Sequence, residues 1–519
     1  MRLAATFDHP LRERYARPGG PWDVPTLDAL TAGDGGTIVD GELVLDGARV
    51  DAAARALAGG LRARGVVRGD VVAWQLPNWH EVILLYRACW LVGAIAAPLQ
   101  HKLGAADLAP MLELLEPTLT FSASDLAINQ VSDPVRVRDG SGAFEALSAD
   151  LVGAPVQLTG ADIAVAVMTS GSTGQAKAVL LSHEALQYKV GIQQPVHGLT
   201  RTDVLLTAAP LSHVSGLLNG VLLSGVAGMK VVLMEVWDPD RALDLIEEHR
   251  VTYMGGPAVF LTSLIESAGF DPARVASLRV CSMGGSTMTP AALARLAARL
   301  GCVVKRTYGM TEAPSVTTSH DGDPPERGRE TDGRVVGEAE VVIVDATDGT
   351  RLPAGERGEI WLRGPEMFSG YAVRSQTEDT VTADGWLRTG DLGVFDDEDW
   401  LRVVGRIKEL IIRGGENIAS AEVEGLLEAH PLVTQAVAVG YPDEILGERV
   451  AGVVVADAAF DLDACRDWFV ERGVAKFKIP EAIVHCDELP MTPNGKPDRL
   501  ALATHVAELM AARASSSWT

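Results

Sequence analysis

Two patterns of apolar residues alternate along most of the chain. Segments 50–65 and 79–93 carry an apolar residue at every third or fourth position, which predicts helices, and the apolar run at 70–76 between them predicts a strand. Segments 204–210 and 229–234 are mainly apolar and have the length of buried strands. Helices that alternate with buried strands are typical of α/β layers around largely parallel sheets.

Helix boundaries are marked by residues with a clear capping role. In segment 237–250 the carboxylate of Asp238 suits an N-cap, and segment 289–301 begins with Thr289 as N-cap and ends at Gly301. A proline follows each of the two N-cap residues, at the first helical position where its missing N–H is harmless. We therefore expect two well-delimited helices in these segments.

The pattern changes at about residue 335. Short strands joined by Gly, Asp and Glu turns predict a β-rich subdomain over 335–404, after which helices and strands alternate again. With the boundary at Lys408, we expect a large domain over 1–407 and a small one over 408–519. The predicted fold class is α/β: a large N-terminal domain of layered α/β subdomains with the β-rich subdomain, followed by a small, mobile α+β domain.

The composition is that of a folded, acidic protein. The 519 residues exceed what one hydrophobic core usually supports, and 47% of them are hydrophobic. The formal net charge of −24 disfavours nonspecific attraction to nucleic acid or anionic lipid, so neither is expected as a partner. The five cysteines are scattered and never form a CxxC pair, which argues against a disulfide framework and a structural zinc site.

The chain is expected to be cytoplasmic. Its longest apolar run, ACWLVGAIAAPL, is shorter than the roughly 20 residues of a membrane span, and charged residues interrupt the first 20 positions too early for a signal peptide. The sequence leaves the oligomeric state open, with a homodimer as one alternative.

The segment MTSGSTGQAK, residues 168–177, is suited to binding a polyanion. Glycines let backbone N–H groups approach a ligand closely, hydroxyl groups add hydrogen-bond donors, and the lysine adds fixed positive charge. The residues concerned are Thr169, Ser170, Gly171, Ser172, Thr173, Gly174 and Lys177. The segment is not a Walker A loop, because Lys177 does not directly follow a glycine and Ala178 replaces the hydroxyl that binds magnesium. A surface turn is the alternative interpretation of this segment alone.

Four further segments place polar residues beside predicted strands. They are YGMTEA (308–313), WLRTGDLG (386–393), GRIKELIIRGGEN (405–417) and PMTPNGKPDR (490–499). Taken alone, each of them is better explained by an ordinary role: Glu312 as a solvated carboxylate, Asp391 as a turn residue and Lys496 as a surface lysine. Together with the first segment, and in this order, they resemble the adenylate-forming superfamily of acyl-CoA synthetases, carrier-protein adenylation domains and firefly-type luciferases. The resemblance runs from about residue 40 to residue 505.

The resemblance implies a nucleotide site. Segment 169–177 would hold the β and γ phosphates of ATP, with Ala176 and Ala178 at positions where the family usually has proline and glycine. Adenine would be enclosed by Gly284, Gly285, Ser286 and Tyr308. Thr311 would donate to a phosphate, and Glu312 would be the Mg²⁺ ligand.

The resemblance also implies which residues bind the ribose, form the hinge and line the route of the thiol. Asp391 would accept hydrogen bonds from the ribose hydroxyls, with Arg406 close to the same sugar and phosphate. Lys496 would bridge the substrate carboxylate and the α-phosphate. Lys408 would be the hinge about which the small domain rotates between half reactions. The thiol tunnel would be lined by Gly414 and Gly415, with His213 where the tunnel meets the acyl pocket.

The expected activity is ATP-dependent activation of a carboxylic acid as acyl-AMP, followed by transfer to CoA. The catalytic candidates are Lys177, His213, Thr311, Glu312 and Lys496. Segments 210–220 and 251–264 resemble the walls of the acyl pocket; they are apolar and contain no charged residue, which favours an apolar monocarboxylic acid, whether medium-chain fatty, alicyclic or aromatic. ATP, Mg²⁺ and CoA are the expected cofactors. The alternatives are transfer to a separate carrier protein, a luciferase-like oxidation, and a nucleotide-binding regulatory protein without turnover.

Overall fold

The computed structural model describes residues 11–30, 36–149, 156–170, 176–285, 288, 290–413, 416–443, 446–492 and 496–516. Mixed α/β architecture is evident throughout these ranges, as the sequence predicts.

The strands are numbered in chain order. The first twelve are β1 (Ile38–Asp40), β2 (Leu43–Leu45), β3 (Val71–Gln75), β4 (Ile95–Leu99), β5 (Leu119–Ser122), β6 (Val135–Arg136), β7 (Ile163–Ser170), β8 (Ala176–Ser182), β9 (Val204–Thr207), β10 (Lys230–Leu233), β11 (Tyr253–Gly256) and β12 (Val280–Gly284). The others are β13 (Val303–Met310), β14 (Ala313–Thr318), β15 (Arg334–Val335), β16 (Glu340–Val344), β17 (Gly358–Arg363), β18 (Gly370–Tyr371), β19 (Leu387–Phe395), β20 (Leu401–Arg406), β21 (Leu410–Arg413), β22 (Glu416–Ala419), β23 (Val433–Asp443), β24 (Gly447–Ala456) and β25 (Ala482–His485).

The α-helices connect these strands. The first eight are α1 (Arg12–Tyr15), α2 (Leu27–Leu30), α3 (Gly47–Ala63), α4 (His80–Val92), α5 (Ala105–Leu115), α6 (His183–Val196), α7 (Val214–Gly216) and α8 (Ser224–Ala227). The others are α9 (Pro239–His249), α10 (Ala258–Glu266), α11 (Pro290–Leu300), α12 (Pro325–Glu330), α13 (Arg374–Glu378), α14 (Ser420–Glu428), α15 (Leu462–Glu471) and α16 (Arg499–Ser516). Short 3₁₀ turns occupy Ala127–Gln130, Glu145–Leu147, Ile407–Glu409 and Lys476–Lys478, and a π-helical segment occupies Leu217–Leu223.

The strands form four sheets. A nine-stranded sheet has the order β15-β14-β13-β12-β11-β9-β10-β1-β2, and a seven-stranded sheet has the order β18-β8-β7-β4-β3-β5-β6. Their central strands are parallel, and antiparallel pairs occur toward the edges, for example β13–β14, β1–β2 and β7–β8. A four-stranded sheet has the order β16-β17-β19-β20, and a five-stranded sheet has β22-β21-β24-β23 with β25 paired to β24.

Local sequence explains where several of these elements begin and end. The predicted helix over 50–65 is α3, which starts after Asp46; the Asp46 carboxylate accepts a hydrogen bond of 2.9 Å from the Arg49 N–H. The predicted cap Asp238 likewise accepts a hydrogen bond of 2.7 Å from the Arg241 N–H. Strand β3 is buried along its whole length, in agreement with its mainly apolar sequence. Among the helices that the structure describes, none combines the length and the apolar character that a membrane span requires.

The chain divides into two compact units. The larger unit comprises Met1–Gly285, Ala294–Val341 and Leu362–Arg388, and it contains the nine-stranded and seven-stranded sheets. The smaller unit comprises Ser286–Leu293, Val342–Trp361 and Thr389–Thr519, and it contains the five-stranded sheet. A domain boundary at Lys408, with domains over 1–407 and 408–519, stays a prediction.

A buried amide joins the two large sheets. Asn78 follows β3 of the seven-stranded sheet, and its side-chain nitrogen donates to the carbonyl oxygens of Ala209 (3.0 Å) and Met234 (3.1 Å), which follow β9 and β10 of the nine-stranded sheet. The side-chain oxygen of Asn78 accepts a hydrogen bond of 2.8 Å from the Leu211 N–H. Buried backbone groups need hydrogen-bond partners, and the Asn78 side chain supplies them. It therefore fixes the backbone at the point where segment 210–220 leaves the nine-stranded sheet.

We expect Asn78→Ala to lower the free energy of unfolding by about 2 to 4 kcal/mol, because it leaves buried backbone groups without partners. Equilibrium urea unfolding followed by tryptophan fluorescence measures the change. The matched control is Asn129→Ala, whose amide nitrogen bonds to the Ala123 and Ser124 carbonyls of its own loop. This control should cost under about 1 kcal/mol, and equal losses for the two variants would contradict the bridging role of Asn78.

Candidate active site

The Ser/Thr/Gly segment joins two antiparallel strands of the larger unit. Strand β7 ends at Ser170, β8 begins at Ala176, and Thr169 is the register partner of Lys177. Lys177 thus stands at the base of a β-hairpin, whereas the lysine of a Walker A loop stands at the start of a helix. The residues of the predicted binding segment that lie outside the described part of the chain are Gly171, Ser172, Thr173 and Gly174.

A tyrosine links the lysine of this hairpin to the predicted metal ligand. The hydroxyl of Tyr371 donates a hydrogen bond of 2.6 Å to Oε1 of Glu312, and the Lys177 ammonium lies 4.7 Å from the centre of the Tyr371 ring. Tyr371 and Glu312 are 6% and 7% exposed. The larger unit therefore brings together a cation, an aromatic ring and a carboxylate that are distant along the sequence.

The tyrosine donates in this arrangement because it stays protonated. Burial, followed by repulsion from the neighbouring Glu312 carboxylate, raises the pKa of Tyr371 far above its usual range. A hydroxyl that keeps its proton leaves the Glu312 carboxylate as the acceptor. Sequence reasoning missed Tyr371. Tyr371 lies in the two-residue strand β18, and β18 pairs with β8, which is distant from it along the sequence.

The segment that carries Thr311 and Glu312 is a tight turn between β13 and β14. A Cβ atom at Gly309 would lie 2.2 Å from the Ser315 backbone nitrogen, so only glycine fits there. Ser315 has a φ of 53°, and its carbonyl oxygen accepts a hydrogen bond of 2.5 Å from the buried Lys189 ammonium. Burial lowers the pKa of Lys189 to about 8. A close backbone approach and a buried lysine thus fix the conformation of this turn.

The predicted adenine-binding residues meet at the ends of two neighbouring strands. Gly284, the last residue of β12, is the register partner of Thr307 on β13, and Tyr308 follows directly. Gly285 has a φ of 76°, which favours glycine. Ser286 lies outside the described residues. The structure therefore places Gly284, Gly285 and Tyr308 side by side in the larger unit.

The smaller unit brings together three further predicted residues. Asp391 on β19 and Arg406 on β20 are register partners, and the Arg406 Nε lies 2.8 Å from Oδ1 of Asp391. The Asp391 side chain is only 5% exposed, whereas that of Arg406 is 53% exposed. Lys496 is near enough to this pair for its charges to act on the lysine. Lys496 is exposed, and its pKa is lowered by partial desolvation and then by repulsion from Arg406, against the opposing attraction of Asp391 and Glu409.

Hydrogen bonds between side chains and backbone fix the turn that presents Asp391. Thr389 donates through its hydroxyl to the Ile360 carbonyl (2.6 Å) and accepts from the Asp391 N–H (3.0 Å). The N–H of Gly390, whose φ is 70°, donates to a Glu359 carboxylate oxygen at 3.0 Å. The TGD motif is therefore a preorganised turn within β19.

The predicted hinge and thiol route are described only in part. Lys408 lies in the 3₁₀ turn Ile407–Glu409 between β20 and β21, and β21 then pairs with β22. Gly414 and Gly415 lie outside the described residues.

His213 begins a short helical segment in the larger unit. It is exposed and serves as the N-cap of α7, where its Nδ1 accepts a hydrogen bond of 3.3 Å from the Ser215 N–H. The π-helical segment Leu217–Leu223 follows, which the sequence did not predict, and it buries Asn219. The Asn219 side chain bonds to Ser215, Gln193 and Tyr253. The predicted acyl-pocket segment 210–220 is therefore largely buried, with one buried amide.

Comparisons with known proteins identify the family of the chain. The model of the AMP-binding enzyme family matches residues 36–372, and that of the AMP-binding enzyme C-terminal domain matches 422–496. The medium-chain fatty-acid–CoA ligase of Escherichia coli is 32% identical over 97% of this chain and 94% of that relative. The indoleacetate–CoA ligase of Aromatoleum aromaticum is 34% identical over 85% of this chain and 89% of that relative.

A solved structure gives the same result for the fold. The o-succinylbenzoate coenzyme A synthetase of Bacillus subtilis, in complex with ATP and a magnesium ion, superposes with a TM-score of 0.81 at 28% identity. The superposition covers 92% of this chain and 99% of that structure. The resemblance and the fold class predicted from the sequence are confirmed. Enzymes of this kind use ATP, Mg²⁺ and CoA. The chain belongs to the AMP-binding enzyme family, and it is an AMP-forming acid–CoA ligase.

Proposed function

We propose that this enzyme activates an apolar monocarboxylic acid, whether medium-chain fatty, alicyclic or aromatic, as its acyl-AMP and then transfers the acyl group to CoA. The products are acyl-CoA, AMP and pyrophosphate. The observation that carries this proposal is the arrangement of Lys177, Tyr371 and Glu312 at the base of the Ser/Thr/Gly hairpin. A cation and a carboxylate beside such a loop suit a magnesium-bound triphosphate.

The substrate class rests on the predicted walls of the acyl pocket. Segments 210–220 and 251–264 contain no lysine or arginine to pair with a second carboxylate, and no acidic residue to bind a substrate ammonium. Two relatives are named for apolar acids, a medium-chain fatty acid and indoleacetate. An apolar pocket discriminates weakly among such acids, because one methylene is worth only about 1 to 3 kcal/mol.

The first half reaction needs positive charge at the phosphates. In-line attack of a carboxylate on the α-phosphate brings two anions together, so cations and N–H donors aimed at the phosphate oxygens lower the barrier. Lys177 would hold the β and γ phosphates, and Lys496 would bridge the substrate carboxylate and the α-phosphate. Thr311 would donate to a phosphate, and Asp391, next to Arg406, would orient the ribose. Adenine would lie against Tyr308 and the two glycines that end β12.

The Glu312 carboxylate fits the expected metal. Mg²⁺ binds hard oxygen ligands, and in nucleotide sites it usually takes one or two carboxylates with the substrate phosphates. Glu312 offers such an oxygen donor, buried and held in place by the Tyr371 hydroxyl. When bound there, Mg²⁺ would neutralise charge that develops on the phosphate oxygens.

In the second half reaction the thiol of CoA has to reach the carbonyl of the acyl-AMP, beside which ATP lay in the first half reaction. We propose that rotation of the C-terminal domain, residues 408–519, about Lys408 withdraws Lys496 and presents Gly414 and Gly415 to the thiol. His213 would stand where the thiol route meets the acyl pocket. The resemblance implies that an aromatic residue often stands beside this histidine, so the buried Val214 would give a roomier or differently shaped pocket. A homodimeric state and a cytoplasmic location stay predictions from the sequence.

Pyrophosphate release with a panel of carboxylic acids tests the function. We expect release with apolar monocarboxylic acids, and values of kcat/KM at least about 10²-fold lower for dicarboxylic and amino acids of equal length, because an unpaired charge would be buried. Acyl-CoA should form when CoA is added. Pyrophosphate release without acyl-CoA would favour transfer to a carrier protein, and no release with any acid would favour a regulatory protein.

Tyr371→Phe should slow pyrophosphate release by about 10-fold to 100-fold, because the Glu312 carboxylate loses the hydroxyl that orients it. The ring beside Lys177 remains, so the effect isolates the hydrogen bond. The half-saturating concentration of Mg²⁺ should rise in the same variant. Tyr441→Phe, at a buried tyrosine of the smaller unit, is the control. Unchanged activity and Mg²⁺ dependence in Tyr371→Phe would show that the hydroxyl has no part in the site.

Lys408→Pro should slow acyl-CoA formation by at least about 10-fold more than it slows pyrophosphate release, because proline fixes φ at the proposed hinge. The two half reactions are measured separately, the second from preformed acyl-AMP. The control is Lys476→Pro in another 3₁₀ turn of the smaller unit. If both half reactions of Lys408→Pro slow equally, the hinge assignment is wrong.

A further inference from the structure

Arg499 makes an extensive set of contacts three residues after Lys496. It is the first residue of α16, and its two terminal nitrogens donate to the two carboxylate oxygens of Glu424 at 2.6 and 2.8 Å. One of these nitrogens also donates to the Ala438 carbonyl oxygen at 3.2 Å. A guanidinium that binds both oxygens of one carboxylate is held in direction as well as in distance.

The partner of Arg499 is itself fixed. Glu424 lies on α14 and is 7% exposed, and its Oε1 also accepts a hydrogen bond of 2.8 Å from the Ala438 N–H. The pair therefore joins three elements of the smaller unit: the start of α16, the helix α14 and the strand β23. A lysine cannot reproduce this geometry, because its ammonium is a point charge without the planar fork.

A second set of contacts leads from Arg499 to the turn that carries Lys408. The Arg499 Nε lies 3.5 Å from Oε2 of Glu409, the last residue of that 3₁₀ turn. The hydroxyl of Ser420, the first residue of α14, donates to the Glu409 carbonyl oxygen at 2.6 Å. The same arginine thus connects the start of α16 with the proposed hinge turn.

The backbone on the other side of Lys496 is fixed as well. The Thr492 N–H and hydroxyl both donate to the Lys496 carbonyl oxygen, at 2.7 and 3.0 Å. The Asp498 N–H donates to the Pro490 carbonyl oxygen at 2.8 Å, and the Asp498 carboxylate accepts from the Ala501 N–H at 3.0 Å. The backbone at Lys496 is therefore fixed on one side by its hydrogen bonds with Thr492 and on the other side by the first turn of α16.

We propose that Arg499 is a positioning residue for Lys496: its contacts with Glu424 and Glu409 fix the start of α16 and thereby the place of the lysine ammonium in the site. The inference rests on the proposed function in one respect, the role of Lys496 in the first half reaction. Arg499 acts through geometry, because it fixes backbone that Lys496 shares. A displacement of about 1 Å in a reacting group can slow a reaction about 10²-fold.

Arg499→Lys and Glu424→Gln test the inference in the full-length enzyme. Each should lower kcat for pyrophosphate release by about 10-fold to 100-fold, with KM for ATP and acid changed by less than about 3-fold. Thioester formation from preformed acyl-AMP should stay within about 3-fold of its original rate, because Lys496 does not act in that step. Arg466→Lys is the matched control: Arg466 pairs with Asp463 on the exposed face of α15 and should leave both rates unchanged.

A double-mutant cycle separates positioning from general structural support. Lys496→Ala alone should slow pyrophosphate release by about 10²-fold to 10³-fold. In that background, Arg499→Lys should cause no further loss, because the group that it positions is absent. Multiplicative losses in the double variant, equal slowing of both half reactions, or loss of folded protein in both single variants would overturn the inference. An unchanged rate in Lys496→Ala would show instead that the proposed role of Lys496 is wrong.

Discussion

The contact of Tyr371 with both Lys177 and Glu312 is the interaction on which the proposed nucleotide site in the larger unit depends. The protein is strongly acidic, with a formal charge of −24, yet it has to bind a polyanion. Charges are screened over roughly 8 to 10 Å in physiological salt, so a few fixed groups near the ligand decide its binding. Tyr371 orients a carboxylate suited to a metal ion and lies against the cation that would face the phosphates, so two groups of opposite charge are available to one ligand.

In the smaller unit, the predicted site residues are held in a different way. There the Asp391–Arg406 pair joins two strands of one sheet, and Lys496 lies near enough for both charges to act on it. Lys496 stands three residues before Arg499, the first residue of α16, and Arg499 is bound to Glu424 of α14. Under the proposed mechanism, these contacts would give Lys496 a defined place within the C-terminal domain, residues 408–519, which would rotate as a whole about Lys408.

Much of the fold could be predicted from the sequence because its signals are local. Apolar periodicity located α3, α4 and β3 to within a few residues, and the capping role of Asp238 is visible in its hydrogen bond to Arg241. The resemblance located the motifs, which the structure then shows on neighbouring strands, as with Gly284 and Tyr308. Contacts between distant segments gave no such signal. Tyr371 reaches the site through a strand of two residues, and the contact between Arg499 and Glu424 spans 75 positions.

A crystal structure of the enzyme with ATP, Mg²⁺ and an apolar carboxylic acid is the decisive measurement for the proposed function. We expect one ATP whose β and γ phosphates contact Lys177, whose metal ion binds Glu312, and whose ribose hydroxyls donate to Asp391. An ATP that contacts Lys177 but not Asp391, or a metal ion bound away from Glu312, would contradict the proposed function.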